Sequence, residues 1–207
     1  MKTFFRRVAA LLFVVALLAA GGLYAVRGRG VSALPVPSWV EERAALWMRA
    51  WLTPPEFASR PNPVAATPEA LAEARQHFAD HCATCHGNDG SGQTEVGRNL
   101  YPKAPDMRLA RTQQLSDGEL FYLIEYGVRL TGMPGWRTGT PEGEAASWSL
   151  VHFIRHLPAL TPDELADMER HNPVSRAVFE EERRVEEFLS GADTPPPAPT
   201  GHEGHKP

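Results

Sequence analysis

The stretch HCATCHGNDG, His81 to Gly90, holds the only two cysteines in a chain of 207 residues. Cys82, Cys85 and His86 admit three chemistries. A closed zinc site needs four ligands, and the chain has no second CxxC. A dithiol redox pair gains a reactive thiolate at a helix start, but that motif belongs beside a βαβ pattern and no convincing strand run is present. The third chemistry uses the histidine that directly follows the second cysteine. In CxxCH, two thiols can form thioethers to haem vinyl groups while the adjacent imidazole lies under the iron.

Bulk properties narrow the class. The chain is 43% hydrophobic and 22% charged, with a net charge of -4, which excludes a general polyanion binder. The charge is unevenly placed: +5 over residues 1 to 60, -3 over 61 to 160, -5 over 161 to 190 and -1 in the remaining tail. Nineteen prolines, many in clusters, divide the chain into one compact domain with flanks.

Val8 to Val26 carries no charge and follows Lys2, Arg6 and Arg7. A spanning helix needs roughly 20 apolar residues, so residues 1–29 read as a retained signal anchor; the small residues Ala19, Ala20 and Gly21 are what a cleaved signal peptide would offer instead. Either way the chain is exported, with the N-terminal basic residues inside and the rest outside the inner membrane. In that compartment a bare cysteine pair would oxidise.

Beyond CATCH the sequence continues CHGNDGSGQTEVGRNLYPKAPDM. Through Gly87, Gly90, Gly92, Gly97, Leu100, Pro102, Ala104, Pro105 and Asp106 it resembles the class I c-type cytochromes, of the membrane-anchored, single-haem, bacterial respiratory kind. The likeness covers roughly residues 67 to 158, with Met107 standing where relatives usually carry leucine. It implies an all-α fold around one covalent haem c. It also implies attachment through Cys82 and Cys85, iron ligation by His86, and electron transfer in place of catalysis.

The sixth iron ligand then decides the chemistry: a thioether gives a high-potential carrier, whereas a labile or open site gives a peroxidase or gas sensor. Met133 in TGMPGW is the candidate, in a turn held by Gly132 and Pro134, and the family pattern places its methionine in such a Gly-Met-Pro turn. Met107 reads as core filler. Met48, in the front segment, and Met168, in an acidic surface-type helix, are poor candidates. Arg98, Tyr101 and Trp136 offer donors to the haem propionates or edge. The remaining histidines read as surface or locally bonded groups, while His202 and His205 form a tail tract capable of weak copper or zinc binding.

The elements that must position these residues are legible locally. Thr67 as N-cap and Pro68 predict a first helix running to the haem motif, with Leu71, Ala74, Phe78 and Cys82 on one face toward the haem. The capping box from Ser116 to Glu119 predicts a second, burying Leu120, Leu123 and Ile124 and stopping at Gly127. A third runs from Thr140-Pro141 to before Pro158, burying Trp148, Leu150, Val151, Ile154 and Leu157. By resemblance, Ala74, Phe78, Leu150 and Phe153 form the crossing of the first and last core helices.

The flanks complete the organisation. Residues 30–66 read as an amphipathic juxtamembrane helix and a Pro-rich linker, with Val40, Ala44, Trp47 and Trp51 on one face, either at the lipid headgroups or packed on protein. The cytochrome domain spans 67–160. A helical extension, 161–191, opens on the capping box TPDE, and 192–207 is a disordered Pro/His tail. Expected partners are redox proteins or a membrane oxidoreductase complex, and no nucleic acid.

Overall fold

A computed structural model describes residues 2–174 and 176–191. Among the described residues the secondary structure is entirely helical. The N-terminal helix α1, Lys2–Arg29, contains an apolar stretch from Lys2 to Ala25 long enough to cross a bilayer. Next come α2, Trp39–Leu52, and the single turn α3, Pro55–Ala58. The domain proper begins with α4, Pro68–His77, which leads through a π-helical turn, Phe78–Cys82, into α5, Ala83–His86.

Two short helices follow, α6, Glu95–Asn99, and α7, Ala110–Gln113. The long elements α8, Asp117–Tyr126, and α9, Pro141–His156, then close the core, with a 3-10 turn from Leu157 to Ala159. Finally α10 spans Pro162–Glu169 and α11 spans Arg176–Leu189. The tail, including His202 and His205, lies outside the described residues.

The helix starts follow from their caps. Thr67 Oγ1 accepts from the Ala70 amide, and full capping boxes join Ser116 to Glu119 and Thr161 to Glu164. Thr140 caps α9 through the Gly143 amide, with Pro141 in the first turn where its missing N–H costs nothing. At the far end of α8, Gly127 turns the chain with φ 68°. A side chain there would strain the backbone and place a Cβ 2.6 Å from the Gly135 nitrogen.

The core forms where α4 meets α9. Ala74, Phe78, Leu150 and Phe153 are all buried, and the rings of Phe78 and Phe153 lie 5.0 Å apart. Phe121 of α8 stacks on Trp148 of α9 at 4.0 Å, with interplanar angle 8°. The three predicted core helices thus stand where their patterns place them, except that Phe121 is buried where Leu123 was expected and Leu123 is only half-buried. Phe78 spends its side chain on the α4–α9 crossing.

Two flanks are more integrated than expected. Met168, read as a surface residue because its helix is acidic, is completely buried and joins the core. Two acids of α10 pair with α4 and α9: Arg75 reaches Glu164 at 3.2 Å and Asp167 at 3.0 Å, and His156 Nε2 lies 3.0 Å from Glu164. Glu164 and Met168 stand four residues apart on one face, so charge beside the apolar contact had hidden it.

The second half of the expected linker is a strap. Phe57 packs on Phe121, Tyr122 and Tyr126. The Ser116 hydroxyl donates to the Ala58 carbonyl at 2.6 Å, and Asn62 Nδ2 donates to the Trp148 carbonyl at 2.9 Å. Val64 continues the strap, with its carbonyl 2.8 Å from His152 Nε2. The Arg60 guanidinium lies over both the Phe121 and Trp148 rings while pairing with Glu144.

Candidate functional site

The CATCH segment sits at a break in helical geometry. Regular α-helix ends at His77, the backbone widens into the π turn, and α-geometry resumes at Ala83. Such single π turns recur at functional sites, because the extra residue re-aims the side chains that follow. Phe78 and Ala79 remain in the core while Cys82 and Cys85 are half-buried free thiols. One turn of helix separates them, with His86 next in line.

Three features bear on whether this set fits a covalent haem. His86 Nδ1 is buried without a hydrogen-bond partner, an uncompensated group at the turn where an imidazole ligand is required. Burial holds the His86 pKa below its ordinary value, which favours the neutral ring that binds metal. Burial, reinforced by Cys85, pushes the Cys82 thiol up to about 12. A disulfide catalyst needs the opposite shift. The residues fit haem attachment.

The glycine-rich loop after His86 is folded tightly against the motif. The His86 carbonyl accepts from the Gly92 amide at 2.7 Å, and the Gly90 carbonyl accepts from Met107 at 2.8 Å. Thr94 caps α6 and donates its hydroxyl to the Cys85 carbonyl at 3.1 Å. Gly97 lies so close that a Cβ would collide with that same Cys85 oxygen. Met107 is buried under this loop, as its core-filler reading requires.

Met133 sits in a separate loop, half-buried, between α8 and α9. Its carbonyl accepts from Val128 at 3.1 Å and its amide donates to Thr131 Oγ1 at 3.1 Å. The amides of Trp136 and Arg137 donate to the carbonyls of Ile124 and Glu125, pinning the loop to the last turn of α8. Its two ends touch the CATCH side of the domain. Gly132 approaches Leu100 so closely that a Cβ would lie 2.6 Å from Leu100 Cδ2, and the Trp136 ring meets His81 at 5.5 Å.

The other sequence candidates separate. Trp136 borders the site, but Arg98 donates to the Gln93 carbonyl at 2.7 Å and Tyr101 donates to Glu41 Oε1 at 3.3 Å. Met48 is exposed on α2. Among the described residues, no group of three or more His, Cys, Asp or Glu side chains is arranged to hold a metal ion.

Residues 69–154 match the family model described as cytochrome C oxidase, cbb3-type, subunit III. The domain is a c-type cytochrome. A comparison with curated proteins returns no match. The match runs from the first turn of α4 almost to the end of α9, so this cytochrome domain binds covalent haem c and takes part in electron transfer. Together with the apolar α1, it fits a membrane-anchored class I cytochrome c.

Sequence reasoning missed a buried polar pair beneath the Met133 loop. Glu125 is 5% exposed, and its Oε1 accepts from the Ser147 hydroxyl at 2.7 Å, joining α8 to α9. Arg137, just beyond the loop, comes within 3.9 Å of its other oxygen. A glutamate amid Leu123, Ile124 and Tyr126 is the one available signal. Arg155 forms a second hub, donating to Asp117 Oδ1 at 2.8 Å and to the Gln113 carbonyl at 2.7 Å.

Proposed function

We propose that this chain is a membrane-anchored electron carrier in which Cys82 and Cys85 attach the haem and His86 and Met133 ligate its iron. A haem c bound there supplies one-electron redox chemistry. The observation that carries the reading is the bracing of the Met133 loop against the CATCH side, through Gly132 on Leu100 and Trp136 on His81. A thioether presented from a braced loop can hold its place through both oxidation states, which lowers the reorganisation that an electron carrier must undergo.

The protein's own residues have clear parts in this reading. His86 offers a neutral imidazole, and its unpartnered Nδ1 is free for an outer hydrogen bond that would fix ring orientation. The Cys85 carbonyl is held by Thr94, which fixes the turn that presents the second thiol. The turn leading to Cys82 is closed to water by the buried Phe78 and Ala79, and a dry surround of this kind raises the reduction potential of a haem held there. No substrate is transformed in this subunit.

Helix α1 is the anchor of an inner-membrane protein, and residues from Val31 onward stand on the periplasmic side. The partners are redox proteins or a membrane oxidoreductase complex. Potentiometric titration of the full chain, combined with carbon monoxide addition to the reduced form, tests this reading. A single one-electron wave and no carbon monoxide binding support the carrier. Ready carbon monoxide binding and turnover of peroxide would instead establish an open-site haem protein.

A further inference from the structure

Helix α2 has two opposite faces that do different things. Glu42, Leu46, Arg49 and Thr53 recur at helical spacing and lie along the domain-facing side. Glu42 pairs with Arg111 at 2.6 Å, Thr53 is buried, and Arg49 is desolvated beside Arg111 and Glu119. Just before the helix, the carbonyls of Ala33 and Leu34 accept from Lys103 Nζ, the latter at 3.0 Å. These contacts fix the helix on the cytochrome domain by its polar side.

The other side carries Val40, Ala44, Trp47 and Trp51 at the same spacing, roughly half a helical turn away. Trp47 and Trp51 are 67% and 71% exposed, their rings stacked at 5.9 Å, and Trp39 at the start of the helix is 73% exposed. Had this helix evolved only to brace the domain, its tryptophans would face inward. They face away, and Arg43 stands exposed beside them.

We infer that the tryptophan face of α2 lies in the headgroup layer of the membrane that α1 crosses, making α2 a second attachment that sets the tilt of the cytochrome domain. The inference rests on the reading of α1 as a retained anchor. Continuity of the chain selects the occupant: only residues 30 to 38 separate the two helices, so the start of α2 stays within roughly 30 Å of the end of α1. Tryptophan is the residue type that favours the water–lipid boundary, and an arginine beside it suits lipid phosphates. Because Glu42 and Arg49 engage the domain from the opposite side, the haem domain cannot swing freely above the bilayer.

Fluorescence provides the test, since of five tryptophans three lie on α2 and none on α1. Haem-loaded full-length protein is placed one copy per nanodisc, after its intact mass confirms that residues 2–29 are retained. Discs carrying lipids brominated near the headgroup should quench the emission, and aqueous iodide should have little effect. W47S/W51S should keep its haem and lose the lipid-sensitive part by about twofold or more. Quenching by iodide but not by bromolipid would overturn the inference in favour of a face open to water. Insensitivity to both would overturn it in favour of a face covered by protein. An intact mass lacking the N-terminal helix would overturn the anchor reading itself.

Discussion

The ring of Trp136 stands edge-on to that of His81, centroids 5.5 Å apart and planes at 75°. This contact joins the loop of Met133 to the residue immediately before Cys82, across the two segments that the proposed haem site requires. A loop so tied has fewer ways to withdraw its thioether. Trp136→Ala should therefore leave haem content unchanged but speed the replacement of the native sixth ligand by imidazole by roughly tenfold, as expected for a contact worth about 1.4 kcal/mol. Stopped-flow absorbance checks this, and an unchanged rate would mean that the α8 backbone bonds alone hold the loop.

Gly97 marks the tightest packing between α6 and the CATCH turn. Gly97→Ala drives a methyl group into the Cys85 carbonyl, which is backbone and cannot rotate away. The expected cost is about 1–3 kcal/mol of stability, seen as a lower Tm, together with reduced yield of covalently attached haem. Val96→Ala, on the same helix but exposed, should change neither.

Glu164 gives the domain an acid-sensitive latch. Burial acts to raise its pKa, but hydrogen bonds from the Thr161 amide, His156 and the Thr161 hydroxyl outweigh it and lower the pKa to about 2. A carboxylate depressed from 4.5 on folding contributes stability that is full above the ordinary value and lost as pH falls toward 2. Denaturant titrations should show Glu164→Gln less stable by about 1–2 kcal/mol at neutral pH, with the gap to the parent closing below pH 4.5.

A further expectation concerns the chain without its cofactor. The cytochrome domain matched over residues 69–154 has a small core, and His86 Nδ1 is left buried and unpaired when nothing orients the ring. Covalent haem supplies apolar interior and a staple. Cys82→Ala/Cys85→Ala should retain helical circular dichroism from α1 and α2 but lose the cooperative thermal transition of the domain. A sharp transition would show that the protein core suffices.

Much of this organisation was legible because its signals are local. Thr67-Pro68, Ser116 to Glu119, Thr140-Pro141 and Thr161 to Glu164 each begin a helix where predicted, since caps act within one turn. Cys82, Cys85 and His86 are close in sequence and form one visible motif, which the family match to residues 69–154 supports as a haem-binding domain. What escaped depends on contacts between distant residues. The burial of Met168 needs α4 and α9 in place, and the Glu125–Ser147 bond joins two helices. The π turn before Cys82 and the strap from Phe57 to Val64 likewise have no short sequence signature. For α2, sequence showed the tryptophan stripe, but only the structure showed that its opposite side holds the domain.

Ligation of a covalent haem by His86 and Met133 is tested most directly by optical spectra of the purified, membrane-extracted chain in both oxidation states, with pyridine haemochrome analysis and attention to the weak sulfur-to-iron band. The expected result is one covalent c-type haem and a band present in the parent that disappears in Met133→Ala, with a lower midpoint potential. A covalent haem without that band, or a band that survives Met133→Ala, would contradict it.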